Sequence, residues 1–151
     1  IVTEHLVKKS AKYYKKGWIT KGSGDTGIDF IGRMDIGTDF GSAKLIVLGQ
    51  AKCEKIDQVT GGTHIARLVA KLKRGWLGVY VTTSYFSKNI QEEILEDKDP
   101  LLLINGKKLA EVVNEIVHVE GYKNIREFLN KIDSEYEGAI KYRDPEEILS
   151  E

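Results

Sequence analysis

Cysteine is all but missing from this sequence: Cys53 is the only one among 151 residues. An intramolecular disulfide framework is therefore excluded, and the usage fits a reducing compartment. Long apolar runs are missing as well. The longest, such as Leu101–Ile104, have the length of a strand, far short of the roughly 18 residues of a membrane-spanning helix. The first residues carry no signal-peptide pattern, and there are no internal repeats or low-complexity stretches. His5, His64 and His118 are isolated and make no zinc set. These absences lead us to expect a cytoplasmic chain with no membrane association. The sequence starts at Ile1 rather than Met, which fits a piece of a larger protein.

Net charge is missing too, because 23 Lys and Arg balance 23 Asp and Glu. Taken alone, zero argues against nucleic acid, which draws basic proteins. The sum hides two opposite halves. Residues 1–90 hold 15 basic against 7 acidic residues, a net of +8, and residues 91–151 hold 8 against 16, a net of −8. Such asymmetry hints at a polyanionic partner on one side.

What is present is an ordinary globular composition, 41% apolar and 30% charged. The length suggests one domain over 1–151, able to bury a core without staples. We expect a core over about 1–117 and an acidic, helical extension over about 118–151.

Apolar spacing predicts a helix over 2–16, with Val2, Leu6, Val7 and Tyr14 on one face, a basic outer face, and Gly17 as its stop. A glycine-rich turn follows at 22–27. Strands are predicted over 28–36 and 43–52, joined by a hairpin. A helix over 63–74, capped by Thr63, is followed by a strand over 76–83. Ser87 caps a helix running to about 97. Pro100 opens a buried strand over 101–104, and Asn105-Gly106 turns into a helix bearing Leu109, Val112, Val113 and Ile116 on one face. A helix over 124–136 and a short helix or frayed tail after Pro145 complete the chain. Helices between strands imply crossovers and a mixed α/β sheet flanked by helices.

Three residues stand out within this frame: Asp29, Gln50 and Lys52. Gln50 and Lys52 lie two apart on one strand and share a face. If that strand pairs with its predecessor, a carboxylate, an amide oxygen and an ammonium converge. Oxygen donors with few protein ligands suit Mg²⁺, which retains waters and phosphate oxygens. The cation would activate water and the lysine would stabilise developing negative charge. The spacing alone is weak, since a lysine after a buried strand is more often simply solvated. Asp29 could equally cap backbone amides, and Gln50 could be a buried amide bonded to the backbone.

The ordered stretches Gly24-Asp25-Thr26-Gly27-Ile28-Asp29, Val47-Leu48-Gly49-Gln50-Ala51-Lys52, Gly78-Val79-Tyr80-Val81-Thr82-Thr83-Ser84 and Leu103-Ile104-Asn105-Gly106 change that balance. Together they resemble the Mrr-type restriction endonuclease catalytic domain, a branch of the PD-(D/E)xK nucleases. Ile65-Ala66-Arg67, Arg74-Gly75-Trp76-Leu77-Gly78 and Tyr85-Phe86-Ser87 narrow the likeness to the cleavage domain of modification-dependent restriction enzymes. The resemblance implies a restriction-endonuclease-like fold and metal-dependent hydrolysis of DNA. It implies Asp29 as metal-binding aspartate, Gln50 in place of the usual acid, Lys52 as motif lysine and the Ala51 carbonyl as a further ligand. Glu4 aligns with a first-helix glutamate that helps to hold metal in related nucleases. Mg²⁺ is the implied cofactor, with Mn²⁺ as a substitute. The implied partners are double-stranded DNA, a fused or associated domain reading modified cytosine, and a second copy of the chain in a homodimer or higher oligomer. A Holliday junction resolvase-like nuclease and a noncatalytic DNA-binding module with a decayed site remain alternatives.

For DNA contact, the candidates are Lys12, Lys16 and Lys21 near the start, Arg67, Lys71 and Arg74 as one helix stripe, and the hydroxyls of Thr83 and Ser84. A charge stripe is usually just a solvated face, but residues 62–90 contain no acid at all, which favours phosphate contact. Thr83 and Ser84 could as well serve strand propensity and capping. His64 is expected at the surface, and Asp25 as a turn former.

Overall fold

The computed structural model describes residues 1–3, 5, 13–20, 27–37 and 42–151. The predicted roles of Glu4, Lys12, Lys21 and Asp25, and most of the glycine-rich turn, lie outside the described residues.

Five strands form the central sheet: β1 (Tyr13–Ile19), β2 (Phe30–Ile36), β3 (Ala43–Lys52), β5 (Trp76–Thr82) and β7 (Leu101–Ile104), in the order β1-β2-β3-β5-β7. The first three run antiparallel, as a hairpin sequence allows. β3, β5 and β7 are parallel, because each connection between them crosses over the sheet. The first crossover carries a two-residue strand β4 (Val59–Thr60) and helix α1 (Gly62–Val69); the second carries β6 (Tyr85–Phe86) and α2 (Lys88–Asp97). β4 and β6 pair with each other beside the main sheet. Helices α3 (Gly106–Val119) and α4 (Ile125–Ala139) and a 3-10 turn (Pro145–Ser150) follow. The mixed, helix-flanked sheet is the one expected.

β3 is apolar on both faces at its centre because both faces are covered. Ile46 and Leu48 join Tyr80, Ile65 and Leu68 under α1, with Trp18, Ile31 and Ile148 in the same cluster. Val47 joins Val79 and Ile104 on the opposite face, with Leu109 of α3 packed against them. Beyond that layer Val112, Ile116 and Phe128 bind α3 to α4. Three helices are capped as their sequences dictate: Ser87, Asn105 and Asn124 accept from the amides of Ile90, Lys108 and Glu127.

Two expectations are corrected. Residues 13–16 are strand, not the end of a helix over 2–16, although residues 2, 3 and 5 are helical. Tyr14 packs on the α3 face and Trp18 on the α1 face. The register slips between Lys16 and Ile19, and that bulge breaks the alternation by which a strand is recognised. The helix expected over 63–74 ends at Val69, and its N-cap is Gly61 rather than Thr63. Lys71 and Leu72 instead bond back three residues, to Leu68 and Val69. Leu72 still reaches the core, so the helical spacing persists in the sequence beyond the helix itself.

Among the described residues no helix is long and apolar enough to cross a membrane.

Candidate active site

Strand parity decides which side chains meet. Ile31, Ile46, Leu48 and Tyr80 all point to the α1 face. Alternate residues share that face, so Asp29, Gln50, Lys52 and Thr82 project to it as well. Register brings them together at one end of the sheet: Phe30 pairs with Gly49, Gln50 with Tyr80, and Lys52 with Thr82.

Asp29 stands one residue before β2. Its amide donates to the Gly49 carbonyl at 2.7 Å, and its Oδ2 accepts from the Ala51 amide at 2.7 Å. The carboxylate is thus fixed against the end of β3. Gly49 makes this approach possible: a Cβ there would meet the Phe30 ring at 1.9 Å. Beside Asp29, the Oε1 of Gln50 is buried with no hydrogen-bond partner among the described residues. A buried oxygen left in that state costs about 1–3 kcal/mol.

Tyr80, the register partner of Gln50, is fully buried, and its hydroxyl likewise has no partner among the described residues. Burial first, then the negative charges of Glu54 and Asp29, push its phenol up to about 12. It is a neutral group at any ordinary pH.

Lys52 is held between two groups absent from the sequence-based site. Its Nζ lies 3.7 Å from Glu54 Oε1 and in contact with His64 Nε2. The Glu54 side chain is only 8% exposed. Its Oε2 accepts from the hydroxyls of Thr60 and Thr82. Burial acts to raise the Glu54 carboxyl, but those hydrogen bonds and the positive charge of Lys52 outweigh it and hold it below its ordinary value. His64 is half-buried on the first turn of α1 rather than on the open surface. Glu54 had a sequence signal, since it continues the two-residue spacing of Gln50 and Lys52. His64 had none, because only the packing of α1 brings it back over β3.

The candidate DNA contacts divide. Arg67 lies on α1, Lys71 and Arg74 in the turns that follow, so they do not form one helix stripe. Lys71 does reach the site: a Cβ built on Gly27 (φ +61°) would lie 3.8 Å from both Lys71 Nζ and Gln50 Nε2. Lys16 is exposed on the edge strand β1. The Thr83 hydroxyl accepts from the Glu54 amide at 2.8 Å and donates to the Glu54 carbonyl at 2.6 Å. Ser84 is buried and its hydroxyl donates to the Gln58 carbonyl. Both hydroxyls therefore brace the segment that carries Glu54.

Among the described residues no group of three or more His, Cys, Asp or Glu is placed to hold a metal ion. Among the described residues, a donor set around Asp29 would then draw on neutral oxygens as well. The unpartnered Oε1 of Gln50 fits that need, and an all-oxygen set suits a hard divalent cation.

The five-stranded mixed sheet thus brings an Asp, a Gln and a Lys together at the end of paired strands. The family described as Restriction endonuclease, the Mrr_cat domain, matches residues 3–113, and the chain belongs to it. Among solved structures, the MspJI restriction endonuclease in complex with a 27-mer oligonucleotide is 42% identical, with a TM-score of 0.93 over 99% of this chain. The DNA modification-dependent restriction endonuclease AspBHI shares the fold at 21% identity, with a TM-score of 0.66 over 88% of this chain. In each case the match covers 34% of the other chain, so this chain spans about a third of their length. No curated protein matches.

Proposed function

We propose that residues 1–151 are the cleavage domain of a modification-dependent restriction enzyme and hydrolyse DNA phosphodiester bonds with the help of Mg²⁺, for which Mn²⁺ can substitute. The observation that carries this reading is the meeting of Asp29, Gln50 and Lys52 at one end of the sheet, with the Gln50 oxygen buried and unpartnered. Asp29, Gln50 Oε1 and the Ala51 carbonyl would hold the cation, with Glu4 as a further carboxylate. When bound, the metal supplies Lewis-acid activation of phosphate and water.

The chain's own residues then divide the work. The Ala51 amide keeps the Asp29 carboxylate in place. Lys52 presents a positive charge to the phosphate as negative charge builds on it. Lys71, with Arg67, Arg74 and Lys16 further out, positions the DNA backbone and carries no sequence information. Recognition of modified cytosine belongs to a fused or associated domain. One site cuts one strand, so a double-strand break needs a homodimer or higher oligomer.

The test is cleavage of modified and unmodified plasmid in Mg²⁺ or in chelator. Lys52→Ala and Asp29→Ala should each lower the rate at least about 100-fold, and chelator should abolish cleavage. Cleavage that survives both substitutions, or a preference for branched junctions over modified duplex, overturns the reading.

A further inference from the structure

Lys52 is a long, flexible side chain, and in water an ammonium on such a stem samples many positions. Here it is met from two different elements, by Glu54 just past β3 and by His64 on α1. α1 itself is anchored, since Ile65 and Leu68 on the turns around His64 are buried in the core. An ammonium only donates hydrogen bonds. The His64 Nε2 facing it must therefore accept, which makes the imidazole neutral with its proton on Nδ1. Glu54 attracts the lysine but is committed elsewhere, because Thr60 and Thr82 hold its Oε2. Its remaining oxygen stands 3.7 Å from the ammonium, longer than a good hydrogen bond. Direction comes from His64.

We propose that His64 is a positioning residue for Lys52: its Nε2 lone pair fixes the ammonium at the mouth of the Asp29–Gln50 site before DNA arrives. A neutral acceptor orients the lysine without cancelling its charge, as a second carboxylate would. The inference rests on the reading of Lys52 as a catalytic group.

The experiment compares wild type with His64→Leu, which removes the acceptor at similar bulk, and His64→Gln, which restores an acceptor that carries no charge. His64→Leu should lower kcat for plasmid cleavage about 100-fold, as a misplaced catalytic group does, with little change in KM. His64→Gln should recover most of that loss. A second readout needs neither metal nor DNA. In chain labelled with ¹⁵N-lysine, the Lys52 ammonium resonance should be protected from water exchange in wild type and His64→Gln, and lost in His64→Leu. Full kcat in His64→Leu overturns the proposal and leaves the nuclease reading intact. Equal losses in folded His64→Leu and His64→Gln also overturn it, since that is the mark of a packing role. A wild-type chain that never cuts, yet shows the expected ammonium pattern, supports the pairing and removes the nuclease reading.

Discussion

Glu54 shows how a single side chain can hold charge near an active site without being spent in it. Its carboxylate is nearly enclosed, and it survives ionised because two threonine hydroxyls and the Lys52 ammonium face it. Its folded value lies below the ordinary 4.5. A lowered carboxyl contributes stability that is complete above its unfolded value and is lost as pH falls through the folded one. Glu54→Gln should therefore be less stable than wild type at neutral pH, and the gap should close below about pH 4.5. Urea denaturation of both proteins from neutral to acid pH checks this; a gap that stays constant means that the charge of Glu54 is not what stabilises. Tyr80 behaves in the opposite sense. With its phenol pushed up to about 12, it is a neutral wall for Gln50 across the whole of that range.

At the scale of elements, the site depends on how closely β2 can approach β3. Phe30 lies over Gly49, and Asp29 and Gln50 are their immediate neighbours in sequence. Gly49→Ala puts a methyl into the ring, so either Phe30 or the strand pairing must shift. Overpacking of that kind costs about 1–3 kcal/mol. We expect a matching drop in denaturation midpoint and a loss of cleavage larger than the drop explains; unchanged cleavage with lowered stability would separate the site from this contact. The same closeness explains what could be read in advance. β3 was predicted over its observed range because its centre is continuously apolar, and Asn105 and Asn124 announce α3 and α4 by their capping chemistry. The convergence of Asp29, Gln50 and Lys52 was legible because Asp29 directly precedes β2, which pairs with β3. β1 was not, because its bulge sends Tyr14 and Trp18 to opposite faces. The end of α1 was not, because Leu72 packs like a helical residue from a turn. His64 was invisible because it lies twelve positions beyond Lys52, past a loop and a short strand, and only tertiary packing closes that distance.

Over the whole molecule, the zero net charge resolves into geography. The last residues, 144–151, fold back on the basic half toward the far end of the sheet. Arg33 and Lys44 donate to the carbonyls of Ile148 and Leu149, Lys15 donates to that of Glu151, and Lys73 pairs with Glu146. Ile148 is fully buried there. Lys44 and Lys52 stand at opposite ends of β3, roughly 26 Å apart along the strand. Glu146 and Glu151 thus pair with Lys73 and Lys15, while Lys71 and Gln50 both come within 3.8 Å of a Cβ built on Gly27. Lysines that neutralise phosphate release counterions, so each adds about 0.9 to the slope of log affinity against log salt. Lys71→Ala should weaken binding to any duplex and flatten that slope by about one unit between roughly 50 and 200 mM salt. Lys73→Ala, two residues away but paired with Glu146, should leave the slope unchanged. Fluorescence anisotropy with a labelled duplex, in chelator to prevent cutting, measures both. If Lys73→Ala flattens the slope as much as Lys71→Ala, DNA contacts the tail-bearing end as well, and the division of the molecule into a DNA-facing end and a neutralised end does not hold.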